Sequence, residues 1–295
     1  MNFTVSTVLS AFAASAFLPG FVAAAHADEK SDLFNQRLLT DACVKRGAAE
    51  PQKRIAACSE LIAHAKHAAP EMALAFLNRA AAYKALNDPG RAAADYAEAL
   101  RRFDNLVDTQ QPVAQIVYQR AVAYQALGQI DRALASYDEA IRLNPADPMP
   151  LVERGAALAR HKGQLSGAID DFTLALAISP DNVEALMGRG DAYGRSGEFA
   201  RSLADLDRVI VLAPDNVDVL GTRGLVYLKI GHPELALREY EAALKLDPKR
   251  ALALYGRGLA RIGTGDVKGG NADRAAATLL VADVGQQFVL YGLDK

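Results

Sequence analysis

The chain has 295 residues, of which 33 are basic and 35 acidic, so its formal net charge is −2. This balance excludes a protein whose main contact is the phosphate backbone of nucleic acid or an anionic lipid surface. No stretch after residue 30 is apolar enough to span a bilayer, so we expect the chain beyond that point to be soluble.

The first 27 residues contain no charged side chain, and they end in the letters AHA directly before Asp28. Small residues on both sides of one variable residue, after an apolar run, are typical of the cleavage site of a secretory leader. We therefore predict a signal peptide over residues 1–27, cleaved after Ala27, and an exported, periplasmic mature chain. The alternative is an uncleaved membrane anchor, against which Pro19 and Gly20 argue because this pair breaks a spanning helix.

Two cysteines, Cys43 and Cys58, lie in two short predicted helices near the start of the mature chain. In an exported protein such a pair is typical of a disulfide. The bond would join an N-terminal helical hairpin, residues 28–72, which we expect to cap the fold. A metal site is the alternative, since His64 and His67 lie nearby, but the separation of the thiols matches no zinc pattern.

From residue 73 onwards the sequence repeats itself, with a longer spacing between the first and second repeats and a period of 34 or 35 residues after that. The closing prolines of the repeats are Pro145, Pro180, Pro214 and Pro248. Small residues of the predicted first helices are Gly155, Gly190, Gly224 and Gly258. Rings of the predicted second helices are Tyr96, Tyr137, Phe172 and Tyr240. Such a period indicates one supersecondary unit that stacks on copies of itself.

The small residue followed by Tyr in the first helix, the Ala and ring in the second, and the closing Pro resemble the tetratricopeptide-repeat family over about residues 73–284. The resemblance implies an all-α fold, a right-handed superhelical solenoid of antiparallel helix pairs. We assign five repeats to residues 73–250, of which the third has one extra residue in the turn around the letters HKGQ. Residues 251–295 are a degenerate sixth repeat and a capping helix, which we expect to cover the last apolar edge.

An arginine stands at the same place in six predicted first helices. These are Arg79, Arg120, Arg154, Arg189, Arg223 and Arg257. In five hairpins an acidic residue follows sixteen positions later, or seventeen where the extra residue intervenes. The pairs are Arg79–Asp95, Arg154–Asp171, Arg189–Asp205, Arg223–Glu239 and Arg257–Asp273. In the sixth, Arg120 has Ser136 opposite and Asp138 nearby.

We interpret these arginines as structural ion pairs, because a guanidinium held by a carboxylate satisfies donors that are costly to bury alone and fixes the register of a hairpin. The alternative is a ladder of cations that clamps a ligand.

The resemblance also implies that the first helices line a concave groove in which a partner segment binds. The positions flanking the arginines that would contact it are Leu77, Asn78, Tyr118, Gln119, Val152, Glu153, Met187, Asp191 and Tyr255. This strip of apolar and weakly acidic residues favours an extended or helical apolar peptide segment. The alternative is that the strip packs inside the superhelix and that the convex face binds the partner.

No histidine of the mature chain has a catalytic partner at motif spacing, and no Gly-rich cofactor loop follows a strand. We therefore predict no cofactor, no resident metal and no enzymatic activity. The function expected is a protein–protein interaction scaffold or adaptor in the bacterial cell envelope, monomeric or a weak homo-oligomer, with a protein or peptide partner and no nucleic acid. The alternative is a small exported enzyme or ligand-binding protein that uses the repeated arginines as a clamp.

Overall fold

The computed structural model describes residues 41–43, 50–63, 69–109 and 113–293. The predicted signal peptide with its cleavage site, and both His64 and His67, lie outside the described residues.

The described part of the chain is built from helices joined by short turns. The helices are α1 (Pro51–Ala63), α2 (Ala69–Ala85), α3 (Pro89–Thr109), α4 (Ala114–Ala126), α5 (Ile130–Leu143), α6 (Met149–Ala157), α7 (Leu165–Ile178), α8 (Val183–Ser196), α9 (Phe199–Leu212), α10 (Val217–Lys229), α11 (Pro233–Leu246), α12 (Ala251–Gly263), α13 (Val267–Leu280) and α14 (Gln286–Leu290). A π-helical turn, Leu158–Lys162, follows α6 directly.

Two compact units divide inside α3, between Asp95 and Tyr96. In the first, α1 packs against α2. In the second, consecutive helices pair as hairpins, namely α4 with α5, α6 with α7, α8 with α9, α10 with α11 and α12 with α13, and each hairpin also contacts the next through its second helix. The expected all-α class, a solenoid of stacked helix pairs, is confirmed.

One residue with positive φ closes the turn inside each hairpin. These residues are Asn87, Gly128, Gly163, Gly197, Gly231 and Gly265, with φ between 56° and 98°. The left-handed conformation ends the first helix and starts the return, and glycine adopts it without the steric cost of a Cβ atom. Five of these six turn residues are glycines, and from Gly128 onwards they recur with the 34- or 35-residue period of the repeat.

The repeated small residues make room for the repeated rings. The Tyr240 ring is fully buried, and a Cβ atom added at Gly224 of α10 or at Gly256 of α12 would lie 2.7 or 2.2 Å from it. Phe172 occupies the equivalent place two repeats earlier, where a Cβ atom at Gly188 would lie 2.4 Å from the ring. Each ring thus fills the space that two backbones leave open, which gives the dense packing of a protein interior.

The extra residue of the third repeat lies in the π-helical turn. The amide of Gly163 donates to the carbonyl of Leu158, five residues earlier, so the end of the first helix is widened by one residue. The sequence placed this residue in the connecting turn, whereas His161 and Lys162 are still helical. A single π turn is the usual way for a helix to absorb one inserted residue.

The predicted disulfide between Cys43 and Cys58 is confirmed, with Cα atoms 4.9 Å apart. Both cysteines are almost fully buried and pack with Leu61 and Met72. The bond closes a loop with a sequence separation of 15 residues. It therefore links the residues before α1 to the middle of that helix.

The final helix α14 buries Phe288 against Tyr255 of α12, the first helix of the sixth pair, whereas Leu279 and Leu280 of α13 are 89% and 50% exposed. A helix thus follows the sixth pair, and it packs on α12. Among the described residues, no helix has the length and apolarity that a membrane crossing requires.

Loss of the disulfide should destabilise the first unit. A loop of this length corresponds to about 3 kcal/mol of unfolding free energy in the chain-entropy account. We expect the double variant Cys43→Ser, Cys58→Ser to lose roughly 2–4 kcal/mol in chemical denaturation.

A reducing agent is the control for this prediction. It should destabilise the natural protein and leave the double variant unchanged. If reduction has no effect on the natural protein, and its thiols already react with iodoacetamide, the bond does not form.

Candidate functional site

The arginines of the first helices bind the carboxylates that the repeat spacing indicates. The guanidinium of Arg189 donates through Nε and Nη2 to the two oxygens of Asp205, both at 2.8 Å. Arg79 binds Asp95 in the same two-pronged way at 2.7 and 2.8 Å. The corresponding contacts of the other pairs are Arg154–Asp171 at 2.5 Å, Arg223–Glu239 at 2.7 Å and Arg257–Asp273 at 2.7 Å.

The third nitrogen of most of these guanidinium groups reaches the preceding helix pair. Nη1 of Arg154 donates to Asp138 of α5 at 2.5 Å, and Nη1 of Arg223 donates to Asp207 of α9 at 2.6 Å. Arg189 contacts the hydroxyl of Thr173 in the same direction at 3.2 Å. One side chain therefore joins both helices of its own pair and the second helix of the pair before.

Arg120 also binds a carboxylate of the second helix of its pair, but this carboxylate is not at the position that the repeat spacing indicates. Its Nη2 donates at 2.8 Å to Glu139 of α5, and Asp104 of α3 lies 3.9 Å away. The sequence offered Ser136 and Asp138, but Asp138 is taken by Arg154 of the next pair. Helix α5 therefore supplies one carboxylate to each neighbour.

The ion pairs are buried enough to matter for stability. The side chains of Arg189 and Asp205 are 20% and 10% exposed. Hydrogen bonding to Asp205 raises the pKa of Arg189 above its usual value, against the opposing effect of burial. The ion pair therefore favours the charged form of the guanidinium, which is bound within the framework.

A cavity of about 610 Å³ lies on the first helices of the second unit. We call it the first-helix cavity. Its apolar lining includes Val152, Ala156, Met187, Leu225, Leu252 and Leu290. Its charged lining is Glu153, Arg160, Glu184, Asp191, Arg195, Asp218 and Arg250. None of the six repeated arginines, all of which the structure describes, lines it.

The predicted groove residues divide between this cavity and the core. Val152, Glu153, Met187 and Asp191 line the first-helix cavity. Gln119 is half-buried on α4 and lies outside it; Leu77 and Asn78 belong to the first unit, where Leu77 is buried and Asn78 half-buried.

Two aromatic residues of the predicted strip are not exposed anchors. Tyr118 is 2% exposed and packs near Tyr137, with ring centroids 6.1 Å apart. Tyr255 is 7% exposed and packs on Phe288. Tyr118 and Tyr255 each lie two residues before a repeated arginine, and both are covered by neighbouring side chains, whereas Met187, at the same position of α8, is only half-buried. At Tyr118 and Tyr255 the structure agrees with the alternative in which the residues of the strip pack inside the superhelix.

One wall of the cavity comes from residues that the repeat pattern does not identify. Gln287, Leu290 and Tyr291, from the end of the chain, line it together with the first helices. Their position could not be read from the sequence, because they lie outside the repeat and about 100 residues from the helix they contact.

Arg195 connects the π-helical turn to this wall. Its guanidinium donates to the carbonyl of Ala159 at 3.2 Å and lies 3.4 Å from the carboxylate of Asp191. Asp191 also accepts a hydrogen bond from the hydroxyl of Tyr291 at 2.8 Å. Burial and the nearby Asp191 charge raise the pKa of Tyr291 well above its usual value, so its hydroxyl remains a donor.

Within the described residues, no group of three or more His, Cys, Asp or Glu side chains is placed to hold a metal ion. The arrangement on the first helices instead offers an apolar floor with charges at its edge. Such a surface suits a segment of another polypeptide.

Two family profiles, both described as tetratricopeptide repeat, match residues 118–183 and 191–255. No curated protein sequence matches the chain at a significant level. The two matched segments include most of the cavity lining, but Glu184, Met187 and Gly188 of α8 lie between them, and the lining residues from the end of the chain lie beyond them.

Solved structures share the fold at low sequence identity. A tetratricopeptide-repeat protein from Parabacteroides merdae is 17% identical over 82% of this chain and 92% of its own, with a TM-score of 0.59. One chain of the APC/C hetero-tetramer Cut9–Hcn1 is 14% identical over 83% of this chain and 49% of its own, with a TM-score of 0.62. A thermophilic tetratricopeptide-repeat protein from Thermus thermophilus is 22% identical over 61% and 100% respectively, with a TM-score of 0.51.

A double-mutant cycle on Arg189 and Asp205 tests the structural role of the arginines. Each single replacement by Leu leaves the other side chain without its partner, so we expect a loss of roughly 1–3 kcal/mol of unfolding free energy. The double variant should lose less than the sum of the two single variants. Urea denaturation followed by circular dichroism measures all four proteins.

The pair Arg208–Asp181 is the matched control. Its side chains are 49% and 58% exposed, with the charged atoms 2.7 Å apart. A surface pair contributes about 0–1 kcal/mol, so the double-mutant cycle on this pair should give a coupling free energy close to zero. Additive losses at Arg189 and Asp205, or unchanged stability with loss of a bound partner, would contradict the structural role.

Proposed function

The chain belongs to the tetratricopeptide-repeat family, and on that premise we propose that it is a noncatalytic adaptor of the bacterial cell envelope that binds a segment of a partner protein in the first-helix cavity. The family fold supports a protein–protein interaction scaffold, because stacked helix pairs present a long rigid surface for a partner.

The observation that carries the proposal is the cavity itself. Met187 lies half-exposed on its floor, on a rigid helix, beside the apolar side chains of Val152 and Leu252. A flexible thioether on a rigid backbone adapts to different apolar side chains at low ordering cost. The first-helix cavity is therefore suited to an apolar segment of a partner.

The charges at the edge restrict that segment further. Asp191 is held by Arg195, and Asp218 by Arg250. Within the described residues no ion-pair partner is found for Glu184, at the start of α8, or for Arg160, in the π-helical turn. We infer that the partner segment carries at least one basic side chain beside its apolar residues and places it near Glu184.

The location in the envelope rests on two features. Residues 1–27 have the composition of a leader, and Cys43 and Cys58 form a buried disulfide, which is typical of oxidising compartments. Both features fit an exported adaptor.

Photo-crosslinking tests the binding surface. A benzophenone amino acid in place of Met187 should crosslink a defined set of envelope proteins in cells, because it lies in the cavity. Glu184→Lys should reduce those crosslinks at least fivefold, since it removes the acidic contact and repels the basic side chain of the partner.

The control position is Val211 on α9, which is 71% exposed and outside the cavity. The same photoreactive residue there should not capture those proteins. Crosslinks at 211 that equal those at 187 would move the binding surface to the second helices and contradict the proposal.

The leader makes a separate prediction. The protein isolated from the periplasmic fraction should begin at Asp28, as measured by intact mass and N-terminal sequencing. A chain that keeps residues 1–27 in the membrane fraction would contradict the exported, leader-cleaved form.

A further inference from the structure

The last described residues of the chain form a segment with three buried anchors. We call residues 282–293 the tail. Val284, Phe288 and Tyr291 are 7%, 0% and 4% exposed, and they belong to the same core cluster as the first helices. The Phe288 ring lies 4.9 Å from the ring of Tyr255 on α12. The tail is therefore packed against the first helices that line the first-helix cavity.

The third anchor of the tail, Tyr291, has a polar contact with α8. The hydroxyl of Tyr291 donates to the carboxylate of Asp191 at 2.8 Å, and it lies 3.3 Å from the backbone carbonyl of the same residue. Since Arg195 holds the other carboxylate oxygen of Asp191, the acceptor is fixed in place. The site therefore contacts both the ring and the hydroxyl of the tyrosine.

Helix α8 is shaped for that ring. A Cβ atom added at Gly194 would lie 2.9 Å from Cε1 of Tyr291, so only glycine leaves the space. The equivalent positions of the other first helices in this unit carry side chains, namely Gln125, Ala159, Leu228 and Ile262. Among these first helices, α8 is the one with a glycine at this position, and the ring of Tyr291 fills the space that the missing side chain leaves.

We propose that the tail is a built-in occupant of the partner site, which a partner displaces with a short helical segment that carries two aromatic side chains three residues apart. The inference rests on the proposed function, because it assigns a regulator to the same cavity. Phe288 and Tyr291 are themselves three residues apart, so the tail presents both rings on one helix face.

The tail is held weakly enough to leave. Its helix α14 has five residues, far below the length at which an isolated helix is stable in water. Leu290 and Val289, between the two aromatic anchors, remain 59% and 43% exposed. A few buried side chains must therefore offset the entropy cost of ordering the whole segment, and a partner segment with the same anchors could replace it.

A peptide-binding experiment on the full chain tests the displacement. The probe is a fluorescein-labelled peptide with the sequence of residues 282–293, and fluorescence anisotropy measures its Kd. The full chain carrying Phe288→Ala and Tyr291→Ala should bind this peptide at least ~10-fold more tightly than the natural chain, because the site is vacated. The same peptide carrying both replacements should not bind.

The matched control is Val289→Ala, on the exposed side of the same helix, which should leave the Kd unchanged. If the double variant loses its helical circular dichroism, Tyr291→Phe decides, since it removes one hydroxyl; a severalfold tighter Kd supports displacement. An unchanged Kd in every folded variant, or no binding of the peptide to any of them, would overturn the proposal and make the tail a fixed wall.

Failure here and failure of the adaptor function are distinguishable. If crosslinks at Met187 are found but the vacated site does not take the peptide, the adaptor stands and the tail is only part of its framework. If the peptide binds the vacated site and Met187 captures no envelope protein, the tail is an occupant and the natural partner does not use this cavity.

Discussion

The fold depends on one interaction, a guanidinium shared between two neighbouring helix pairs. In Arg154 and Arg223 one face of the group binds a carboxylate of the same pair, and the remaining nitrogen binds a carboxylate of the pair before. Because the group is planar and rigid, it fixes the distance and the angle between successive pairs together. The rings of Phe172 and Tyr240 then pack into a spacing that is already determined, and the first-helix cavity is preorganised as a result.

Much of this could be predicted from the sequence, because it repeats. A contact that recurs every 34 residues places the same two residue types at the same separation in several hairpins. Such a recurrence is not expected by chance, so the two residues can be inferred to be in contact. The pairing of Arg154 with Asp171 could be inferred even across an inserted residue, since both partners shift with the hairpin. The disulfide between Cys43 and Cys58 followed from a different observation, namely that the chain has two cysteines and that both follow a predicted leader.

The rest could not be predicted, because it depends on contacts between residues that share no period. The choice of Glu139 for Arg120 depends on competition, since the neighbouring Asp138 is drawn to the next pair. The burial of Tyr118 depends on the exact rotation of its helix, which a helical period of 3.6 residues leaves uncertain by one position. The location of the tail depends on a contact between Tyr291 and Asp191, 100 residues apart in the chain.

The π-helical turn at Leu158–Lys162 bears on how such a protein can change during evolution. One residue was added without moving either end of the ion pair around it, so the insertion is confined to a single turn of one helix. The number of residues in a repeat is therefore free to vary, while the three-dimensional spacing of the repeats is not. The carbonyl of Ala159, which lies in the π-helical turn, accepts a hydrogen bond from Arg195 of the next helix pair. The turn that absorbs the extra residue therefore also joins two neighbouring pairs.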